Sequence, residues 1–208
     1  MLNCLKRTKS NREDKKIVKN MRKPALCLLA ALLLLVGCQK AATMSPPEQF
    51  EMAGQKVTFA PPPESWGNKK VTAMPHEGAQ KDSHPDTVVS YDPAWDGASL
   101  TISGLSGWQQ DSWEADQEAT NAFTRQIQDQ VLKRTNGEIV NQRQSTLGDE
   151  PALELEVRYQ EASKMMHGKQ IYAIHNHAMW IVSLNVPEEH WRESNSVYSQ
   201  LVASWKFN

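Results

Sequence analysis

Apolar and polar positions alternate along LELEVRY, placing Leu153, Leu155, Val157 and Tyr159 on one side and Glu154, Glu156 and Arg158 on the other. A period of two predicts a strand with one buried and one solvent-facing side. KQIYAIH and MWIVSLNV follow, separated by NHA, a hairpin-length connection. In MWIVSLNV both sides are apolar, with Met179 and Ile181 on one and Trp180, Val182, Leu184 and Val186 on the other. That pattern predicts a central strand covered on both faces. KVTFA, TVVSY and SLTISGL read as shorter strands upstream, EIVNQRQ as another, and APPPESW as a proline-rich loop.

Two stretches change to helical spacing. From about Ser112 to Arg134, the residues Ala115, Ala119, Phe123, Ile127 and Val131 recur every fourth position. Asp111 with Glu114 resembles a capping box, and Asn136-Gly137 supplies a stop. A second helix is expected from about Glu188 to Trp205, started by Pro187. Its apolar face is read as Trp191, Tyr198, Val202 and Trp205. The fold class predicted is α+β, an antiparallel sheet of about six strands flanked by two main helices.

The chain before these elements is of another kind. An apolar run from Ala25 to Val36 follows Lys15, Lys16, Lys19, Arg22 and Lys23. It is shorter than the roughly 20 residues a spanning helix requires. A basic region, a short apolar region and small residues at the end describe a secretory signal. Residues 1–37 are therefore expected to be removed. Met21 opens a compact signal of its own, so the start can be read at Met1 or Met21. Residues 38–52 carry Pro46-Pro47 without periodicity and read as a flexible tether, leaving 53–208 as one domain.

Removing 1–37 changes the charge. Of 23 Lys+Arg and 24 Asp+Glu, nine basic and two acidic residues lie in that segment, so 14 and 22 remain, a formal charge of −8. An acidic domain without a Lys/Arg cluster argues against nucleic acid and against electrostatic binding to anionic lipid. Cys4 and Cys27 leave with the signal, and Cys38 is the one cysteine beyond it. Disulfides, redox pairs and thiolate metal sites within the mature chain are thereby excluded.

Leu35-Val36-Gly37-Cys38 resembles the lipobox of bacterial lipoproteins. The resemblance implies cleavage before Cys38, lipidation of its sulfur (palmitate or a related acyl chain) and a membrane anchor, stable where two or more chains are attached. Gln39, in the place where Asp would retain such a protein in the inner membrane, implies outer-membrane delivery where two membranes are present. Downstream, VTFAPPPESW, TLGDEPALELEVRY, KQIYAIHNHAMWIVSLNVP and the tail Ser204-Trp205-Lys206-Phe207 resemble PsbP-like domains, including the DcrB-like lipoproteins. That resemblance covers roughly residues 55–208 and implies a non-enzymatic envelope or accessory module.

Chemistry is sparse. His175 and His177, two apart on an expected strand, are the candidate metal ligands, with Met165, Met166 and His167 as a second cluster at the other end of the same strand. Both groups also fit polar turn positions, and no metal or cofactor is assigned. Trp66, Trp95, Trp108 and Trp113 lie in or beside expected loops, where they could stack on sugar rings of peptidoglycan or lipopolysaccharide, or pack the loops onto the core. Trp180, Trp191 and Trp205 read as core. Asp92 and Asp96 flank a Pro and a Gly in a turn that lacks the ligand run of an EF-hand. Ser106 in GLSG is not a nucleophile elbow. The expectation is a lipid-anchored envelope protein that binds a protein partner without catalysis; a sugar or metal module is the alternative, and an enzyme of unassigned type the third.

Overall fold

A computed structural model describes residues 43–74, 86–108 and 117–208. Ten strands form two antiparallel sheets. Strands β1 (Glu48–Met52), β2 (Gln55–Phe59) and β10 (Lys206–Phe207) make a small sheet in the order β1-β2-β10. The large sheet contains β3 (Lys69–Met74), β4 (Asp86–Tyr91), β5 (Ser99–Leu105), β6 (Glu138–Leu147), β7 (Glu150–Glu161), β8 (Lys164–His175) and β9 (Ala178–Pro187). Its order is β3-β4-β5-β9-β8-β7-β6. Helix α1 (Gln117–Thr135) precedes β6, and α2 (Trp191–Ser204) follows β9 after a 3-10 turn over Glu188–His190. Among the described residues the architecture is the expected antiparallel α+β fold with two helices, at ten strands rather than about six.

Strand β9 sits at the centre of the large sheet, and both its faces are buried, as its two-sided apolar pattern requires. The β8–β9 connection is a two-residue turn, Asn176 (φ 52°) and His177 (φ 58°). Positive φ at both central residues matches the strand twist of a tight hairpin.

The small sheet and α2 cover one face of the large sheet. Val57, Phe59, Leu100, Ile102, Trp180, Leu184, Val197, Tyr198, Leu201 and Trp205 form that core. On the other face Ile127 and Val131 of α1 pack on Leu153, Leu155, Val157, Tyr172, Ile174 and Met179. Asn136, at φ 49°, ends α1 where expected. The start of the helix near Ser112, the Asp111/Glu114 cap and Ala115 lie outside the described residues.

Three expectations are corrected. Residues 48–52, read as tether, form β1, and Phe50 and Met52 are buried. Phe50 stacks on Phe59 at 4.2 Å and Phe59 on Trp205 at 5.0 Å, so the segment is core. Even Ser45 is held, its N–H and Oγ donating to the carbonyls of Pro61 and Pro62, each at 3.1 Å. The buried face of α2 is Ser194, Val197, Tyr198 and Leu201, while Trp191 and Val202 flank it half-buried. Finally, MMHG belongs to β8, which starts at Lys164 rather than Lys169.

Candidate functional site

Because α2 covers part of the second face of β7 and β8, several polar side chains on that face are buried too. Glu154, read as solvent-facing, is 5% exposed, and on β8 His167 is 2% and Lys169 6% exposed. The register sets Glu156 opposite Lys169 and Arg158 opposite His167. Charges on adjacent strands therefore alternate in sign and meet diagonally.

At one end, Arg143 Nε donates to Glu154 Oε1 at 2.7 Å, and Lys169 Nζ lies 3.2 Å from the same oxygen. Lys169 also donates to Asn195 Oδ1 of α2 at 3.2 Å and sits 5.4 Å from the centre of the Tyr198 ring. The Glu154 carboxylate holds the guanidinium of Arg143 above its ordinary pKa. Tyr198 is pushed well up, first by burial and then by the charge of Glu154. Among the described residues its hydroxyl has no hydrogen-bond partner.

At the other end, His167 lies between two carboxylates, Nε2 at 2.7 Å from Glu156 Oε1 and Nδ1 at 3.0 Å from Glu188 Oε2. Each ring nitrogen thus faces one carboxylate oxygen. Arg158 donates to the second oxygen of Glu188 at 2.9 Å. Trp191 closes the arrangement, its ring parallel to the imidazole at 3.5 Å. Glu188 and Trp191 lead into α2, so this contact pins the start of the helix to the sheet.

Two grooves lie at opposite ends of this ladder. One, about 510 Å³, runs between β6, the β6–β7 turn and the C-terminal half of α2, with Arg143, Glu154, Trp205 and Lys206 in its walls. The other, about 570 Å³, is bordered by Arg158, Tyr159, Met165 and Glu188.

The structure separates the sequence-derived metal candidates. His175 ends β8, with Nδ1 2.7 Å from Glu150 Oε1 and its ring 4.1 Å from Phe207. His177 lies in the hairpin turn rather than on the strand; its carbonyl accepts the N–H of Trp108 at 2.8 Å. The two therefore do not share a strand face. Met166 and His167, adjacent in β8, project from opposite faces. Glu156 and Glu188 occupy opposite ring nitrogens of His167, and among the described residues no three His, Cys, Asp or Glu converge for a metal.

The tryptophans proposed as sugar platforms are mostly engaged. Trp66 is 4% exposed and meets Trp95 edge to face at 5.7 Å. Burial removes Trp66 as a stacking surface. Trp95 is stacked on His190 at 4.2 Å, and Trp108 packs beside the α1 core. Trp113 lies outside the described residues, as does Cys38. Sequence reading missed Glu154, Lys169, Glu156 and Glu188 because a clean alternation implies a wet second face. The available signal was a lysine and a histidine within the strand beside the central one.

No family model matches the chain, and no curated protein matches it. Among solved structures, the cyanobacterial PsbP, CyanoP, from Synechocystis sp. PCC 6803 superposes with a TM-score of 0.51 at 14% identity, over 84% of this chain and 99% of that one. The protein therefore has the PsbP-like α+β fold. PA94 of Pseudomonas aeruginosa, a protein of unknown function, matches with a TM-score of 0.41 at 12% identity, over 74% of this chain and 92% of its own. LpqN of Mycobacterium tuberculosis, involved in cell envelope biogenesis, matches with a TM-score of 0.44 at 15% identity, over 78% and 91%. The fold alone is taken, and from the CyanoP likeness.

Proposed function

We propose that the protein is a lipid-anchored module of the bacterial cell envelope, held by Cys38 and acting by non-catalytic binding of a protein partner. The observation that carries this reading is the short distance along the chain from the lipobox to the folded body. Cys38 follows Leu35-Val36-Gly37, and at Ser45 the chain is already fastened to the proline-rich loop. Seven residue steps reach at most about 25 Å. An anchored domain on such a leash stays at the membrane surface, which raises its effective concentration toward partners there. The formal charge of −8 beyond residue 37 gives an anionic bilayer nothing to attract, so attachment rests on the acyl chains. Gln39 directs the protein to the outer membrane where two membranes exist.

The test is fractionation of cells expressing the wild type and Cys38→Ser, followed by in-cell crosslinking and mass spectrometry. Wild type is expected in the membrane fraction, crosslinked to a recurrent envelope protein, with both lost in Cys38→Ser. A soluble wild type would refute the anchor, and crosslinking to no specific protein would refute partner binding.

A further inference from the structure

The groove beside β6 has features that the anchor and a protein partner do not use. Arg143 and Glu154 line it, and Arg143 Nε meets Glu154 Oε1, which Lys169 Nζ holds from outside the groove. Lys169 is buried and does not line the groove, whereas Arg143 does. Glu154 engages Arg143 through Nε alone, and among the described residues the two Nη groups have no hydrogen-bond partner. The Arg143 side chain is 57% exposed, so its outer edge is reachable from the groove that it lines. That edge is the part of a guanidinium that pairs with two oxygens of a carboxylate or phosphate.

The rest of the wall is mixed, and Asp149 of the β6–β7 turn places a carboxylate in it. Lys206 adds a second cation and Ser199 a hydroxyl, while Val202 and Phe207 offer apolar surface. Trp205 also lines the groove and is 3% exposed, and its indole N–H has no acceptor among the described residues. Cδ1 of that ring, next to Nε1, lies 3.3 Å from where a side chain on Gly148 would begin. Gly148 is at φ 60° and lines the groove as well; a side chain there would also meet Phe207 Cδ2, at 3.2 Å.

We propose that the groove binds a small organic anion, a carboxylate or phosphate ester with a short apolar body. The anionic head pairs with the outer edge of Arg143 and the body rests against Val202 and Phe207. Glu154 is a positioning residue: it holds the inner edge of the guanidinium and aims the other outward. The proposal stands independently of lipidation, because its residues lie within the folded domain.

The test uses the full-chain protein purified from whole cells in neutral detergent, titrated with benzoate, phenyl phosphate and the uncharged isostere benzamide, and followed by the indole N–H resonances. Saturable shifts of the Trp205 resonance are expected with at least one anion and not with benzamide; the stronger anion identifies the head group. Arg143→Gln is expected to weaken binding about tenfold or more, with Arg143→Lys between it and the wild type. Lys206→Gln, further from the buried pair, provides a second variant and should weaken binding less. The proposal is overturned if neither anion saturates at millimolar concentration, if benzamide binds as well as benzoate, or if a folded Arg143→Gln protein binds like the wild type.

Discussion

Trp191 lies flat on His167, their ring planes 7° apart and their centroids 3.5 Å apart. The first residue of α2 thereby seals a histidine that two carboxylates already hold. This joins the helix to the sheet by a polar contact at one end, while Val197, Tyr198 and Leu201 join it by apolar packing further along.

Replacing His167 by Ala removes the stack and leaves Glu156 and Glu188 facing each other without a donor. We expect a loss of about 3 kcal/mol, from the acceptors left without a partner and the space the ring leaves. Urea unfolding measures the loss. Amide exchange should show faster opening around Glu188–Trp191 than around Leu201. Uniform acceleration along α2 would contradict the pinning role.

Lys169→Ala leaves Glu154 buried with only the half-exposed Arg143 as partner. It should also cost about 3 kcal/mol. The double variant Glu154→Leu/Lys169→Met removes both charges and keeps volume, so it should lie within roughly 1 kcal/mol of the wild type. A double variant as unstable as the sum of its singles would mean that the pair is not a unit.

Tyr198 gives a pH dependence whose sign is fixed. Burial raises its folded pKa well above the ordinary 10.0, while the unfolded phenol ionises at that ordinary value. Its contribution is therefore constant below pH 10 and falls as the pH rises past it. Tyr198→Phe should shift the alkaline loss of stability to higher pH. Tyr91 and Tyr159, also raised by burial, retain part of the slope. At pH 7 the same variant should be neutral or stabilising by up to about 1 kcal/mol, since the hydroxyl it removes has no partner among the described residues. Thermal unfolding between pH 7 and 11 checks both parts.

Phe50→Ala tests the reassignment of residues 48–52. A stacked, buried phenylalanine in β1 should cost about 3 kcal/mol on truncation, whereas a tether residue would cost nothing measurable. Denaturant unfolding distinguishes the two.

These positions show how far the sequence was legible. The β8–β9 hairpin was readable because Asn176-His177 sits between two apolar runs, and the central place of β9 because both its faces are apolar. β1 was not, because EQFEM is short and polar and follows Pro46-Pro47. Its buried residues Phe50 and Met52 do stand two apart, which is the strand period. β3 was missed because all six of its residues are exposed at the sheet edge, where no burial pattern is imposed. The ionic ladder was hidden by a different cause. Glu154 is buried by α2, some forty positions later, and no local pattern announces a long-range cover.

The candidate ligands were legible as residue types but not as sites. His175 and His177 were placed on one strand face by assuming that the strand continued through the turn. Positive φ at Asn176 and His177 ends the alternation there. Trp66, Trp95 and Trp108 were placed in or beside loops correctly, but packing of those loops onto the core takes Trp66 from solvent.

The central claim, anchoring through Cys38, is tested most directly by mass spectrometry of the N-terminal peptide of the protein extracted from membranes. A mature chain beginning at Cys38 and carrying acyl chains is expected. An unmodified Cys38, or a chain that still carries the residues before it, would contradict it.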